Sequence, residues 1–306
     1  MEFTYKAHLP TLDMDVPVRE LTTKDYITLV KCIANDDTTV IESVFEELIK
    51  SQLPKNIYNK ITRLDKFFIL LTIRAVSVGP TVSLTFTDEP TGKPYTSHVQ
   101  LFEVLQHIAD VEYVFSKEIE VVPGEVTVTI TPPNGLQASV EEEVLLDCIR
   151  TIKINKTRHD MSSFSREQKK NIVDNLPGKI IHELQLYIND STNTFGDVMI
   201  FKKLNPHTPQ PVPEEYAVNF YDNSMIGFIM TCFSESLKYI YDIIYVLSKH
   251  CTFSSDLIMG STFAELRMYV DLYEEDLKEQ QKAMDEENKS GSSSPPPIGN
   301  PIVPEL

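Results

Sequence analysis

The side chains best suited to chemistry in this sequence are His182 and Glu183, in the segment IIHELQL. They match the first half of the HExxH pattern, in which two histidines one helical turn apart bind zinc and the glutamate acts as a general base. The second histidine would stand at position 186, where the sequence has Leu186. A zinc ion would therefore lack a ligand on that face of the helix. We interpret His182 and Glu183 as a solvated pair on a helix.

Two other residue pairs have types that could bind a cation or form a nucleophile. Asp13 and Asp15 form a DxD, which holds a divalent cation in some sugar-transferring enzymes, but they lie in a proline-flanked segment without the rigid cradle that such a site needs. Cys148 and His159 lie eleven residues apart. A single cysteine and a single histidine do not define a catalytic pair, and a small buried side chain is the favoured interpretation of Cys148.

The remaining chemistry-bearing residues follow no catalytic or cofactor-binding pattern. The four cysteines are never spaced as CxxC, so no structural zinc site is expected. The sequence contains no GxxxxGK[ST], no GxGxxG after a predicted strand and no GxSxG. We therefore predict no cofactor, no catalytic residue and no enzymatic activity. A hydrolase whose acid/base carboxylate pair is brought together only by folding is the alternative.

Composition restricts the partners. The chain has 306 residues, of which 45 are acidic and 28 basic, giving a formal net charge of -17. Such a chain is repelled by phosphate backbones and anionic lipid, which argues against nucleic acid. The most apolar segment, from Met225 to Phe233, is too short to span a bilayer, and the first residues lack the apolar region of a signal peptide. The expectation is a soluble protein, made in a cytoplasm, whose partners are other proteins.

Hydrophobic periodicity predicts an α+β fold. Up to about residue 78, apolar residues recur at helical spacing. Alternating apolar and hydroxyl residues in TVSLTF and EVTVTITPP then predict a small, mostly antiparallel sheet, with TDEPTGKP as a hairpin loop. The C-terminal half is predicted to be helical and to end in a long helical pair, one helix from about Ser224 to Lys249 and one headed by a capping box at Thr262 and Glu265.

The same patterns predict four parts of the chain. Residues 1–20 are expected to be an extended arm because their prolines disfavour helix. Residues 21–160 are expected to form an α+β domain and residues 161–286 a helical domain. Residues 287–306 are rich in Pro and Ser and are expected to be a disordered tail.

The long C-terminal helices carry more aromatic residues than a two-helix core needs. Tyr239, Tyr245, Tyr269 and Tyr273 lie where the apolar stripe widens. Tyrosine combines an apolar ring with a polar tip and suits a surface that is partly core and partly partner contact. We predict these four as partner-interface residues; an ordinary helical-hairpin core is the alternative.

The segment RLDKFFILLTIRAVSVGPTVSL resembles the baseplate hub family of T-even-type phages, in which an Asp-containing helix runs into an LRxxSVG turn and then a strand. Seven residues carry the match: Asp65, Phe68, Ile73, Arg74, Ser77, Val78 and Gly79. Shorter similarities occur in PVRELTTKDYITLVKCIAND, in FSREQKKNIVDNLPGKIIHEL and in the helices between residues 237 and 282. Together these patches touch the chain from about residue 15 to residue 285.

The resemblance implies a structural or assembly component of the hub of a contractile phage tail baseplate, acting by protein–protein binding. Its partners would be other tail or baseplate proteins, in the host cytoplasm during assembly; retention in the virion and a homo-oligomer are both left open. The positive charge of Arg74, on the last turn of the helix, would interact favourably with the helix dipole and pair with a nearby carboxylate. Gly79 would take a positive φ where the helix turns into a strand. The loop TDEPTGKPY has no cysteine, so the zinc knuckle of some members is not expected. A general scaffold or adaptor outside phages is the alternative.

Overall fold

The computed structural model describes most of the chain, and contacts between Cα atoms divide that chain into two compact units. Unit 1 comprises Met1–Glu20 and Asp36–Phe233, and unit 2 comprises Leu21–Asn35 and Ser234–Leu306. The domain boundaries predicted from composition separate parts of the chain that are expected to fold independently. The division into two units does not test independent folding, so these boundaries stay predictions. The described residues are 5–35, 37–110, 116–131, 133–136, 146–161, 164–189, 198–207, 213–220 and 223–290.

The helices and strands alternate in the order expected of an α+β protein. In chain order they are β1 (Tyr5–Leu9), β2 (Met14–Val18), α1 (Thr23–Ala34), α2 (Thr38–Gln52), α3 (Lys55–Tyr58), α4 (Arg63–Ser77), β3 (Thr81–Thr87), β4 (Pro94–Gln100), α5 (Leu101–Ala109), β5 (Lys117–Val122), β6 (Val126–Ile130), β7 (Ile149–Ile154), β8 (Thr157–Asp160), α6 (Arg166–Asp174), α7 (Gly178–Asn189), β9 (Val198–Leu204), β10 (Pro213–Val218), α8 (Ser224–Phe233), α9 (Leu237–Lys249), α10 (Ser255–Gly260) and α11 (Phe263–Ser290). The predicted fold class, with small antiparallel sheets and a helical C-terminal half, is confirmed.

Helix α4 lies at the centre of unit 1. Nearly all of its fifteen residues are buried, which is the pattern of a helix that is covered on every side. It packs against β1, α2, α5 and α8. Its sequence explains this position, because the run from Phe67 to Leu71 is apolar all round the helix. Two of its buried polar side chains, Asp65 and Arg74, lie near the two ends of the helix.

The strands of unit 1 form antiparallel hairpins around that helix. β1 and β2 pair with Ala7 opposite Val16, and these two side chains are buried. The described residues of the expected arm are therefore paired as a hairpin and packed, and the assignment of residues 1–20 as an arm stays a prediction. β5, β6, β7 and β8 form a four-stranded antiparallel sheet in that order. One face of this sheet, including Val128 and Ile152, packs in a hydrophobic core with Val173 of α6.

Unit 2 is helical in its described residues. Phe263, at the start of α11, is buried between Tyr26 of α1 and Tyr239 of α9, with ring centroids 5.3 and 6.2 Å away. The Thr23 N–H and hydroxyl both donate to the Ser261 carbonyl, at 2.7 and 2.8 Å. These contacts hold α1 to the α9–α11 hairpin, although α1 is distant from that hairpin in sequence.

Three details of the C-terminal half differ from the sequence prediction. The long helix expected from Ser224 to Lys249 is two helices, because Ser236 caps a new one by accepting the Tyr239 N–H at 3.4 Å. The expected helical domain also contains the β9–β10 hairpin, which flanks the proline-rich connection. Helix α11 continues to Ser290, beyond the predicted start of the tail. Residues 291–306 lie outside the described ranges, so the disordered tail stays a prediction.

Candidate functional site

The residues that carry the family resemblance hold the two ends of α4. At its N-terminal end the Asp65 carboxylate is fully buried and accepts four hydrogen bonds. Two come from Thr11 in the β1–β2 turn, whose N–H donates at 3.0 Å and whose hydroxyl also donates. Two come from Thr62, whose N–H and hydroxyl donate at 2.7 and 3.0 Å. Asp65 therefore caps the helix and attaches the first hairpin to it.

At the C-terminal end of α4, Arg74 is buried and holds backbone carbonyls. Its Nε donates to the carbonyl of Cys232 at 2.5 Å, and its Nη1 donates to the carbonyl of Gly79 at 2.7 Å. Gly79 has a φ of 132°, which side-chain-bearing residues rarely adopt. Arg74 thus joins the SVG turn to the end of α8; its predicted carboxylate partner stays a prediction.

The residue pairs with possible chemistry do not form a reactive site where the structure describes them. His182 is exposed on α7, beside an exposed Leu186. The Asp15 carboxylate accepts from Nδ1 of His8, 3.2 Å away, and the two form an exposed pair across the hairpin. Cys148 is fully buried, and that burial raises the pKa of its thiol, so the nucleophilic thiolate is disfavoured. Within the described ranges no group of three or more His, Cys, Asp or Glu side chains is arranged to hold a metal ion.

The structure brings three of the four predicted interface tyrosines to one side of the α9–α11 hairpin. The ring of Tyr273 stacks on His250 with centroids 5.8 Å apart, and Tyr245 contacts the same imidazole edge-on at 6.4 Å. Tyr269 contacts Phe253 at 5.1 Å. Tyr239 is half-buried against Phe263, so part of its ring belongs to the core of unit 2.

Helix α11 exposes an apolar surface larger than these tyrosines alone. We use "α11 surface" for Met268, Tyr269, Leu272, Tyr273 and Met284. Since successive residues are about 100° apart round a helix, the first four form an arc that continues the buried stripe of the helix to one side. Met284 continues the stripe along the helix instead, and its side chain is 61% exposed.

The length of α11 explains why Met284, at the far end of this surface, is uncovered. The helix has 28 residues, about 42 Å, whereas its neighbour α9 has 13 residues, about 20 Å. The second half of α11 therefore extends beyond α9. From Glu274 to Glu286 the charged side chains of α11 are mainly carboxylates: Glu274, Glu275, Asp276, Glu279, Asp285 and Glu286, against Lys278 and Lys282. The α11 surface is consequently an apolar stripe with an acidic border.

A cleft of about 510 Å³ in unit 1 was not predicted from the sequence. It lies beside the N-terminal end of α4 and the polar face of the four-stranded sheet. Lys60, Arg150 and Arg158 supply its positive charges and Asp160 its one carboxylate in the described lining. The signal that could have revealed it is the segment RTIKINKTR, which has four cations and no carboxylate in a chain of net charge -17.

Taken together, these features define a class of protein. The motif residues serve packing, and the exposed features are an apolar helix face and a basic cleft; both suit the binding of other macromolecules. No described helix is both long enough and apolar enough to cross a membrane. The chain matches the family described as T4 bacteriophage base plate protein over residues 1–194, and it belongs to that family. The resemblance to phage baseplate proteins is thereby confirmed.

Family membership makes the protein a structural component of the phage tail baseplate, with other phage proteins as its partners. The matched residues include α4 with Asp65 and Arg74, and they end before β9. The α11 surface lies outside them. Neither the curated proteins nor the solved structures contain a match to the chain.

Proposed function

We propose that the protein is a structural or assembly component of the baseplate hub of a contractile phage tail, and that it acts by protein–protein binding without catalysis. The observation that carries this proposal is the α11 surface. Met268, Leu272 and Met284 are each more than half exposed, and they lie on a helix that extends beyond its intramolecular neighbour. A large apolar area of this kind on a folded unit typically marks a binding surface.

The tyrosines give this surface the composition of an interface. Tyr269 and Tyr273 lie one helical turn apart, and each is held by a second aromatic ring, Phe253 and His250 respectively. Rings that are already ordered lose little further conformational freedom on binding. Aromatic anchors of this kind carry much of the binding energy in protein interfaces. Tyr245 lies at the border, where its hydroxyl accepts from Lys249 at 2.5 Å.

The acidic border indicates the chemistry of the partner. A second copy of this helix would bring like charges together between Glu274 and Glu286, which opposes association. An amphipathic helix of another baseplate protein, with Lys or Arg beside its apolar stripe, satisfies both the apolar and the charged parts of the α11 surface. We therefore favour a basic helical partner within the baseplate.

The test compares two pairs of variants that remove matched exposed side chains. Leu272→Ala is compared with Leu204→Ala, since these leucines are 52% and 50% exposed; Tyr269→Ala is compared with Tyr5→Ala, at 36% and 40%. We expect the α11 variants to weaken binding to the baseplate partner by about 1–2 kcal/mol each and the controls by less than about 0.5 kcal/mol. Isothermal titration calorimetry with purified baseplate proteins, together with complementation of a phage lacking the gene, measures the effect.

Circular dichroism separates folding from binding in this comparison. All four side chains are substantially exposed, so the variants are expected to retain the wild-type spectrum. Normal tail assembly by both α11 variants, combined with loss of assembly on neutralising a carboxylate pair in a folded protein, would mean that the binding account is wrong. Mass spectrometry of purified virions addresses the hub role separately: a component built into the hub is retained in the particle, and a transient assembly factor is not.

A further inference from the structure

The β7–β8 hairpin is the most basic part of an acidic chain. Arg150, Lys153, Lys156 and Arg158 lie within nine residues that include no carboxylate. Arg150 and Arg158 point to the cleft beside α4, where Lys60 joins them from a different part of the chain. None of these three cations forms an ion pair with a carboxylate of the described residues. Among the described residues, Arg150 donates to the carbonyl of Asn59, at 3.3 Å.

The lining of this cleft has a second unsatisfied group. The side-chain oxygen of Asn134 is buried and has no hydrogen-bond partner among the residues that the structure describes. A buried acceptor without a donor costs free energy, and a bound molecule with an N–H group would satisfy it. Hydroxyl groups of Ser116, Thr131 and Thr151 add further donors and acceptors in the cleft. The cleft therefore offers positive charge for an anion together with polar groups suited to an amide.

We propose that this cleft binds an acidic peptide segment of another protein. Carboxylates of the segment would pair with Arg150, Arg158 and Lys60, since guanidinium groups bind carboxylates through two parallel hydrogen bonds. A backbone N–H of the segment would donate to Asn134. Binding of the acidic segment would not involve the α11 surface, which lies in unit 2. It also does not depend on which baseplate protein contacts that surface.

A peptide fits the cleft better than a nucleic acid does. Single-stranded nucleic acids bind through bases stacked on aromatic rings, and the described lining contains no aromatic side chain. The net charge of -17 opposes the approach of a polyanion. A short acidic segment carries less charge and presents amide groups as well.

The experiment measures binding of a probe peptide to the full chain by fluorescence anisotropy. The probe is a fluorescein-labelled peptide of about ten residues with alternating Glu and Val, and its control has Gln in place of every Glu. We expect the Glu peptide to bind at least about tenfold more tightly than the Gln peptide. The double variant Arg150→Gln/Arg158→Gln should lose about tenfold or more in affinity for the Glu peptide.

A matched variant separates the cleft from the general charge of the hairpin. Lys153→Gln/Lys156→Gln removes the same charge from the same hairpin, but neither residue lines the cleft. This variant should retain affinity within about twofold. Arg150, Arg158, Lys153 and Lys156 are at least partly exposed, so the melting temperatures of both variants should match that of the wild type.

Four outcomes would overturn the proposal. The Glu peptide could fail to bind, or both double variants could lose affinity equally, which would show attraction to the hairpin rather than to the cleft. A labelled single-stranded DNA of equal charge could bind more tightly than the Glu peptide, which would identify nucleic acid as the ligand. Finally, sedimentation velocity could show that Arg150→Gln/Arg158→Gln alone dissociates an oligomer of the chain, which would make a second copy the occupant.

Discussion

Replacing Asp65 by alanine is expected to lower the free energy of unfolding by about 3–5 kcal/mol. The carboxylate accepts hydrogen bonds from the N–H and hydroxyl groups of both Thr11 and Thr62, and it is fully buried. Alanine would leave these donors without their acceptor; Thr62 is buried, and Thr11 is partly exposed beside the cleft. It would also remove the Asp65 half of the capping box of α4 and the attachment of the β1–β2 turn to that helix.

The measurement is urea denaturation followed by circular dichroism, with Asp25→Ala as the matched control. Asp25 occupies the equivalent position in the first turn of α1, where its carboxylate accepts from the Thr22 hydroxyl at 2.9 Å, but it is exposed. Its loss should cost only about 0.5–1 kcal/mol. Asp65→Asn retains one acceptor oxygen and should fall between wild type and Asp65→Ala. Equal costs for Asp65→Ala and Asp25→Ala would contradict the structural role assigned to Asp65.

The role of Asp65 shows where sequence reasoning stops. Helix α4 was predictable, because its apolar run and its polar first turn are local features of the chain. The attachment of Asp65 to Thr11 was not, since the two residues are 54 positions apart and meet only through tertiary packing. The first hairpin was predicted as an extended arm because its pairing, too, forms only through tertiary packing. Strand pairing depends on what the strands pack against, and α4 supplies that surface.

The break between α8 and α9 shows a different limit. Apolar residues continue at spacings of three and four from Ile226 to Leu247, so periodicity alone predicts one helix. The structure ends α8 at Phe233 and begins α9 after Ser236, whose hydroxyl accepts the Tyr239 N–H. Serine at this position was the available signal, because it competes with the helical backbone for hydrogen bonds and favours caps.

The two proposed binding surfaces also differ in how much of each can be seen in the sequence. The widening of the apolar stripe at Tyr269 and Tyr273 follows from helical geometry, and both residues lie at the side of α11 that the structure leaves partly uncovered. Tyr239 has the same pattern in sequence but packs against Phe263, which only the folded hairpin reveals. In the basic cleft the density of cations near residue 150 is visible in the sequence. The arrival of Lys60 from ninety residues away is not.

The second large effect is expected from Glu46→Ala, which should cost about 3–5 kcal/mol at pH 7. Glu46 forms a buried network with Lys66 and Tyr58: its Oε1 accepts from the Lys66 ammonium and its Oε2 from the Tyr58 hydroxyl, both at 2.5 Å. Removing the carboxylate leaves the Lys66 charge buried without a counter-ion. Glu47→Ala is the control, because Glu47 is exposed and its pair with Lys50 lies on the surface, where such pairs contribute less than about 1 kcal/mol.

The free energy of unfolding that is lost in Glu46→Ala should change with pH in a definite direction. Burial lowers the pKa of Lys66 below its ordinary value of 10.5, and the charge of Glu46 opposes that shift. Between the lowered pKa and 10.5 the unfolded chain binds more protons than the folded chain, so stability from this group rises with pH. Removing Glu46 lowers the Lys66 pKa further and widens that interval downward. The difference in stability between wild type and Glu46→Ala should therefore shrink as pH rises from about 7 to about 9.5.

Urea denaturation of both proteins across this pH range measures the difference, and a double variant tests its cause. Glu46→Ala/Lys66→Met removes the buried charge together with its partner and should recover most of the loss, because an apolar pair no longer has to desolvate an ion. Burial and the hydrogen bond to Glu46 both raise the pKa of Tyr58, so ionisation of the phenol does not reverse the trend within this range. A loss that stays constant with pH, or that the double variant does not relieve, would mean that the uncompensated ammonium of Lys66 is not its source.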